Sequence, residues 1–379
     1  MHILVNGIPL NGLVTGISRY VRCLYQEIQR IEGIKLTFFS SGKTFSYIPP
    51  PPDPKQWAIK TDLIWKLPDP IVTGIRAFFW LNYERNLKKI ISHNKYHLYH
   101  ETTFFPPAID KVPVVFSLYD LSLLKYKDCH PKERVWFFNL FFKRRLSYAK
   151  HIITISEFLR QEIITELKIS PRKVSAIPLA PSPIFYPRTD AQINSVLHQF
   201  KLPSEYILFV GTIEPRKNLI LVLKALKIMK IKIPLVIAGW KGWGEKQLKN
   251  TLKELKLEKQ VFLTGYIDNN ALACLYSGAQ AFVYPSIYEG FGLPVLEAMA
   301  CGCPVICSNK ASLPEVAGEA AFYFDPYNPE SLASLLEEIL TNTKTRYALI
   351  RAGLNRAKQF SWKKTALKTI KVFKQVAGV

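Results

Sequence analysis

The stretch from Val283 to Ser308, VYPSIYEGFGLPVLEAMACGCPVICS, restricts the fold of this chain more than any other. An apolar run, Ala281 to Tyr284, reads as a strand stopped by Pro285. A loop follows over 286–292, with a carboxylate at Glu289 and glycines at Gly290 and Gly292. Pro294 suits the start of a helix, where its missing N–H costs nothing. Residues 295–301 are good helix formers carrying a second carboxylate, Glu297, and Gly302 closes the segment. Pro304 to Cys307 reads as the next buried strand. The N–H groups of Phe291, Gly292 and Leu293 would then lie at a helix N-terminus, where the partial positive charge suits a phosphate. Carboxylates repel phosphate, so Glu289 and Glu297 are better suited to accept hydrogen bonds from sugar or ribose hydroxyls. The implied ligand is a nucleotide sugar.

The rest of the second half repeats this rhythm. Short apolar runs at 206–213, 235–238 and 261–264 alternate with helical patterns, which predicts a parallel sheet with helices on both faces. Ligands of such sheets bind at the carboxyl ends of the strands. At the end of the first run, Gly211-Thr212-Ile213-Glu214-Pro215-Arg216-Lys217-Asn218 sets two cations just before a helix, where they can neutralise a departing diphosphate. Near the chain's start, residues 3–6 read as a strand, and a turn from Gly7 to Gly16 leads into a helix over about 18–31 that carries Arg19. This is again a phosphate-friendly arrangement, without the spacing of a dinucleotide fingerprint.

Taken together, these stretches resemble glycosyltransferase family 4, the retaining glycosyltransferases of group 1, over nearly the full chain. Glu289 and Glu297 match that family's E-x7-E motif, and Gly211 to Asn218 its G-x4-R/K-K-N motif. The resemblance implies an α/β fold of the GT-B type, two Rossmann-like domains facing each other across a cleft. Residues 1–187 would be the acceptor-side domain, 188–355 the nucleotide-sugar domain, and 356–379 a helix crossing back to the first. It implies transfer of a hexose from a nucleoside diphosphate sugar to a sugar hydroxyl with retention. Arg216 and Lys217 would hold the donor phosphates, with Gly16 and Arg19 approaching the same diphosphate. Thr212 lies in the motif, and Tyr266 and Ile267 stand where the nucleotide base would be contacted. Glu289 would serve the sugar and Glu297 the ribose. Where the family often carries a histidine ahead of Asp120, this chain has Tyr119, and His100 on a neighbouring strand end is the substitute expected to face the acceptor. The stretches around 211–218 and 290–302 look most like bacterial mannosyltransferases of surface polysaccharide assembly. GDP-mannose is therefore the first donor expected, and a glycan or lipid-linked oligosaccharide the first acceptor. No cofactor and no metal are expected, since no Asp-x-Asp motif stands at a strand end. A sugar-nucleotide epimerase of the same fold and a non-enzymatic polyanion-binding protein are the alternatives.

The formal charge of +22 is unevenly placed. Residues 1–200 hold 27 Lys and Arg against 15 Asp and Glu, residues 201–350 hold 16 against 14, and the last 29 hold eight against none. A basic half predicts one face held against an anionic partner. No nucleic-acid-binding signature accompanies it, so anionic lipid head groups are expected rather than nucleic acid. Residues 41–81 read as irregular, with the PPPPDP loop at 49–54 and with Trp57, Trp65, Phe78, Phe79 and Trp80 among Lys55, Lys60, Lys66 and Arg76. Residues 133–148 read as a helix pairing Trp136, Phe137, Phe138, Phe141 and Phe142 with Lys143-Arg144-Arg145, suited either to a membrane interface or to a core. No apolar run reaches 18 residues, and MHILVNGIPL lacks the basic start of a signal peptide. A cytoplasmic protein, peripheral to the inner membrane face, is the expectation. The six cysteines lack zinc spacing and read as buried thiols.

Overall fold

The computed structural model describes residues 1–12, 15–52 and 67–379. The chain divides into two compact units, Met1–Leu179 with Trp362–Val379, and Ala180–Ser361. Each is an α/β layer structure built on one sheet, as expected.

The first unit carries seven strands: β1 (His2–Asn6), β2 (Lys35–Ser40), β3 (Lys43–Phe45), β4 (Leu98–Glu101), β5 (Val114–Leu118), β6 (Ala149–Thr154) and β7 (Val174–Ala176). Their order is β3-β2-β1-β4-β5-β6-β7. All neighbours are parallel except β2 and β3. Every residue of β4 and β5 is buried, as strands covered on both faces by helices must be. The last helix, Trp362–Ala377, packs on the helix Gly16–Ile28, with Trp362 6.3 Å from Tyr20 and Phe373 5.0 Å from His100 between ring centroids.

Two expectations are corrected here. Residues 41–81 are not irregular throughout: β3 covers 43–45, and a 25-residue helix begins at Asp69. That helix escapes a search for amphipathic period because its amino-terminal half is apolar on opposite faces. Of the aromatic and basic residues read in this stretch, Lys55, Trp57, Lys60, Trp65 and Lys66 lie outside the described residues. The second correction concerns the helix Lys132–Arg145, whose aromatics divide. Phe137, Phe138 and Phe142 are core, Phe137 lying 5.3 Å from Phe105, whereas Trp136 is exposed.

The second unit carries six strands, β8 (Ile207–Val210), β9 (Leu235–Ala238), β10 (Val261–Gly265), β11 (Ala281–Tyr284), β12 (Val305–Ser308) and β13 (Ala321–Phe324). Their order is β10-β9-β8-β11-β12-β13, all parallel. Counted within the unit this is 3-2-1-4-5-6, the doubly wound dinucleotide-binding order. No described helix is long and apolar enough to cross a membrane.

Candidate active site

In the second unit the strand order reverses beside β8, which lies between β9 and β11. Chains leaving the carboxyl ends of β8 and β11 therefore run to opposite sides, and a crevice opens between them. The Gly211–Asn218 motif leaves β8 there, and the 285–292 loop leaves β11. Their meeting explains why the two stretches carry complementary groups.

Backbone contacts fix both loops. Gly239 at the end of β9 can only be glycine, because a Cβ there would stand 2.0 Å from the carbonyl oxygen of Gly211. Pro215–Lys217 forms a single 3₁₀ turn, and the Asn218 side chain donates to the Pro326 carbonyl at 2.7 Å. In the other loop, Ser308 Oγ donates to the Ser286 carbonyl at 2.5 Å and Ser312 Oγ to the Glu289 carbonyl at 2.9 Å. Ile287 N–H donates to the Arg216 carbonyl at 3.0 Å, which joins the loops directly. Gly292, at φ +95°, turns the chain into the helix Leu293–Ala300, as the sequence predicts.

Four charged side chains gather where the loops meet. Lys217 Nζ donates to Glu289 Oε1 at 2.5 Å and to the Tyr284 hydroxyl at 2.6 Å. Arg216 Nη1 lies 3.1 Å from the same carboxylate oxygen and donates to the Tyr288 carbonyl at 2.5 Å. Arg216 Nη2 bonds Glu214 Oε1 at 2.5 Å. All four are buried, each 8% exposed. Burial pushes the Glu289 pKa up, but Arg216 and Lys217 outweigh it and hold the carboxyl at about 2. Burial, and then Glu289, push the Tyr284 phenol well above its ordinary range, so it stays a neutral donor or acceptor.

Glu297, on the helix Leu293–Ala300, is 1% exposed and accepts from the Tyr276 hydroxyl at 3.4 Å. Burial, with Glu297 as the next cause, pushes the Cys301 thiol up to about 12, keeping it protonated. Phe291 and Leu293 turn their side chains inward, Phe291 edge-on to Phe360 at 6.1 Å, so any contact they offer a ligand is through backbone. Thr212 and Tyr266 are half-buried, Tyr266 6.4 Å from Trp240, and Ile267 is buried. Gly16 and Arg19 belong to the first unit, in the first turn of the helix Gly16–Ile28, where Gly16 is exposed.

His100 does not face a ligand. It is 0% exposed, its Nδ1 lies 2.5 Å from the Tyr25 hydroxyl and its Nε2 2.8 Å from Ser117 Oγ. Burial lowers its pKa to about 3, so it is a neutral core residue. Its place near a strand end suggested a site role; the pleat turns it inward. Tyr119 is half-buried and donates its hydroxyl to the Thr102 carbonyl at 3.1 Å.

Sequence reasoning missed Glu214, Tyr284, Ser308 and Ser312 as members of the site. Glu214 stands inside the motif, two positions before Arg216, which is the signal that could have found it. Apart from this site, the first unit buries a carboxylate, Glu101 at the end of β4, which accepts from Asn6 Nδ2 at 2.7 Å, the Tyr99 hydroxyl at 2.8 Å and Thr103 N–H at 2.7 Å. Burial, opposed by these bonds, raises its pKa to about 6.

Residues 192–356 match the family model described as glycosyl transferases group 1, and residues 14–180 the one described as glycosyltransferase family 4. The chain is 33% identical over 384 residues to O-antigen chain mannosyltransferase B of Escherichia coli, covering 97% of both chains. It is 30% identical to O-antigen chain mannosyltransferase RfbU of Salmonella typhimurium over 54% of each. Among solved structures, sucrose-phosphate synthase from Thermosynechococcus elongatus aligns with a TM-score of 0.74 at 22% identity, covering 99% of this chain and 98% of that one. WaaG, a glycosyltransferase involved in lipopolysaccharide biosynthesis, aligns with a TM-score of 0.69 at 12% identity over 98% of this chain and 99% of its own. These likenesses show the two-unit GT-B architecture.

Proposed function

The chain belongs to the group 1 glycosyltransferases and is a hexosyltransferase; from that premise we propose that it moves mannose from GDP-mannose to a sugar hydroxyl of a glycan or lipid-linked oligosaccharide, with retention. The observation that supports this most is the Arg216, Lys217 and Glu289 cluster at the strand-order reversal of the second unit. The full-length likeness to an O-antigen chain mannosyltransferase supports mannose as the sugar.

The chemistry follows from charge. Breaking the bond between the anomeric carbon and the diphosphate leaves negative charge on the leaving oxygens. Preorganised cations in a dry site stabilise that charge most. Arg216 and Lys217 are placed for this, and their burial strengthens each interaction. In the free protein Glu214 and Glu289 balance them one for one, so the cluster itself is near neutral. Further positive potential comes from the amino end of the helix Leu293–Ala300. Glu289, released in part as the diphosphate draws the cations, is left to accept hydrogen bonds from the sugar hydroxyls. Glu297 takes the ribose hydroxyls. A front-face attack assisted by the leaving group needs no enzymatic nucleophile.

The test is turnover of GDP-mannose, UDP-glucose, UDP-galactose and UDP-N-acetylglucosamine, with and without membrane extract, beside Glu289→Ala and Arg216→Ala. Turnover of GDP-mannose alone, lost in both variants, is the expected result. Preference for a uridine donor overturns the donor assignment. Activity surviving both substitutions overturns the site.

A further inference from the structure

We propose that the first unit docks on an anionic lipid bilayer through the paired helices Asp69–His93 and Lys132–Arg145. The first of these helices carries two apolar stripes on opposite faces. Val72, Trp80, Tyr83 and Leu87 are buried in the core, while Ile71, Ile75 and Phe78, at i, i+4 and i+7, point to solvent with Phe79 beside them. These four are between 39 and 68% exposed. Lone exposed apolar residues are ordinary, but a helix apolar on its solvent side calls for a second apolar environment. The second helix repeats the pattern: Trp136 and Leu140 stand exposed on the same stripe as Lys143, with Arg144 exposed beside them.

The two helices are tied together. Arg76 bonds Glu133 at 2.9 Å and Arg145 bonds Glu84 at 3.0 Å. These pairs also set the sign of the surface. The helices hold nine Lys and Arg against three Asp and Glu. Two of those acids, Glu84 and Glu133, are buried in the ties. The charge left toward solvent is therefore almost wholly cationic, from Arg85, Lys89, Lys132, Lys143 and Arg144, while Lys88 also pairs with Glu84 at 3.3 Å. Aliphatic and aromatic side chains flanked by cations match a bilayer interface, where the former enter the acyl boundary and the latter meet anionic head groups. A soluble polyanion such as RNA would use the cations but gives Ile71, Ile75 and Leu140 nothing to bury against.

The test is sedimentation of the full chain with phosphatidylcholine vesicles, with and without phosphatidylglycerol. Binding to the anionic vesicles at low salt, and release at about 1 M salt where screening acts within about 3 Å, is expected. Lys143→Gln with Arg144→Gln should weaken partition by about thirtyfold, each cation contributing about fivefold. Ile75→Ser with Phe78→Ser should weaken it by about tenfold. Trp136→Ser with Leu140→Ser serves as a second apolar pair should the first reduce folding. Donor turnover in solution stays unchanged in all of them. No sedimentation at low salt overturns the proposal. So does heparin binding that matches vesicle binding and ignores both apolar pairs, since that result assigns the face to a polyanion.

Discussion

The Lys217 ammonium and the Glu289 carboxylate are 72 positions apart in the chain and 2.5 Å apart in space, joined across the strand-order reversal of the second sheet. One pair thus serves two purposes, since it holds the β8 and β11 loops together and stores the charges that the reaction uses.

These purposes separate in a double substitution. Lys217→Met leaves a buried carboxylate with one partner fewer and should lower stability by about 3 kcal/mol. It should also lower kcat by about a hundredfold or more. Adding Glu289→Gln should restore much of the stability, read by urea unfolding, and none of the turnover. Recovery of activity in the double variant would mean that Lys217 acts only as a tie.

The two buried carboxylates give opposite responses to pH. The pKa of Glu289 falls from 4.5 to about 2 on folding, so its contribution is full above pH 4.5 and is lost as pH drops toward 2. That of Glu101 rises from 4.5 to about 6, so the folded state holds its proton more tightly and stability declines as pH climbs from 4.5 to 6. Urea midpoints of Glu289→Gln should lose the acid-side slope, and those of Glu101→Gln the slope between pH 4.5 and 6. Unchanged slopes would count against both environments.

Replacing His100 separates core from catalysis. His100→Leu strands the Tyr25 hydroxyl, leaves Ser117 Oγ with its bond to the Tyr20 hydroxyl, and should cost about 1–3 kcal/mol. Protein that remains folded should keep kcat within about twofold, with no change in its pH profile. A hundredfold fall in kcat at unchanged melting temperature would return His100 to the chemistry.

Charge neutralisation by Arg216 and Lys217 predicts that EDTA leaves donor turnover unchanged. A strict requirement for Mg²⁺, restored on adding the ion back, would assign part of that charge to a metal.

The second unit was legible because its elements agree at every level. Proline, glycine and apolar period around 281–308 each point to the same strand, turn and helix, and its strands follow one rhythm. The cation pair and Glu289 were legible as residues, but their pairing was not, because contacts between loops of different strands leave no local signal. The helix from Asp69 was hidden because period needs one polar face, and Ile71, Ile75 and Phe78 remove it. His100 misled because nearness to a strand end says where a residue stands along the sheet, and not which way its side chain turns.

The closing helix Trp362–Ala377 belongs to the first unit, although the whole of the second unit precedes it in the chain. During synthesis the second unit is complete while the first still lacks a wall. Tyr20 and His100 remain without their cover from Trp362 and Phe373 until residues 362–373 have been made. The first unit, begun first, is therefore finished last, and the nascent protein carries an open apolar face through most of its translation. A stop codon at position 362 would spare the second unit whole and leave the first permanently unfinished.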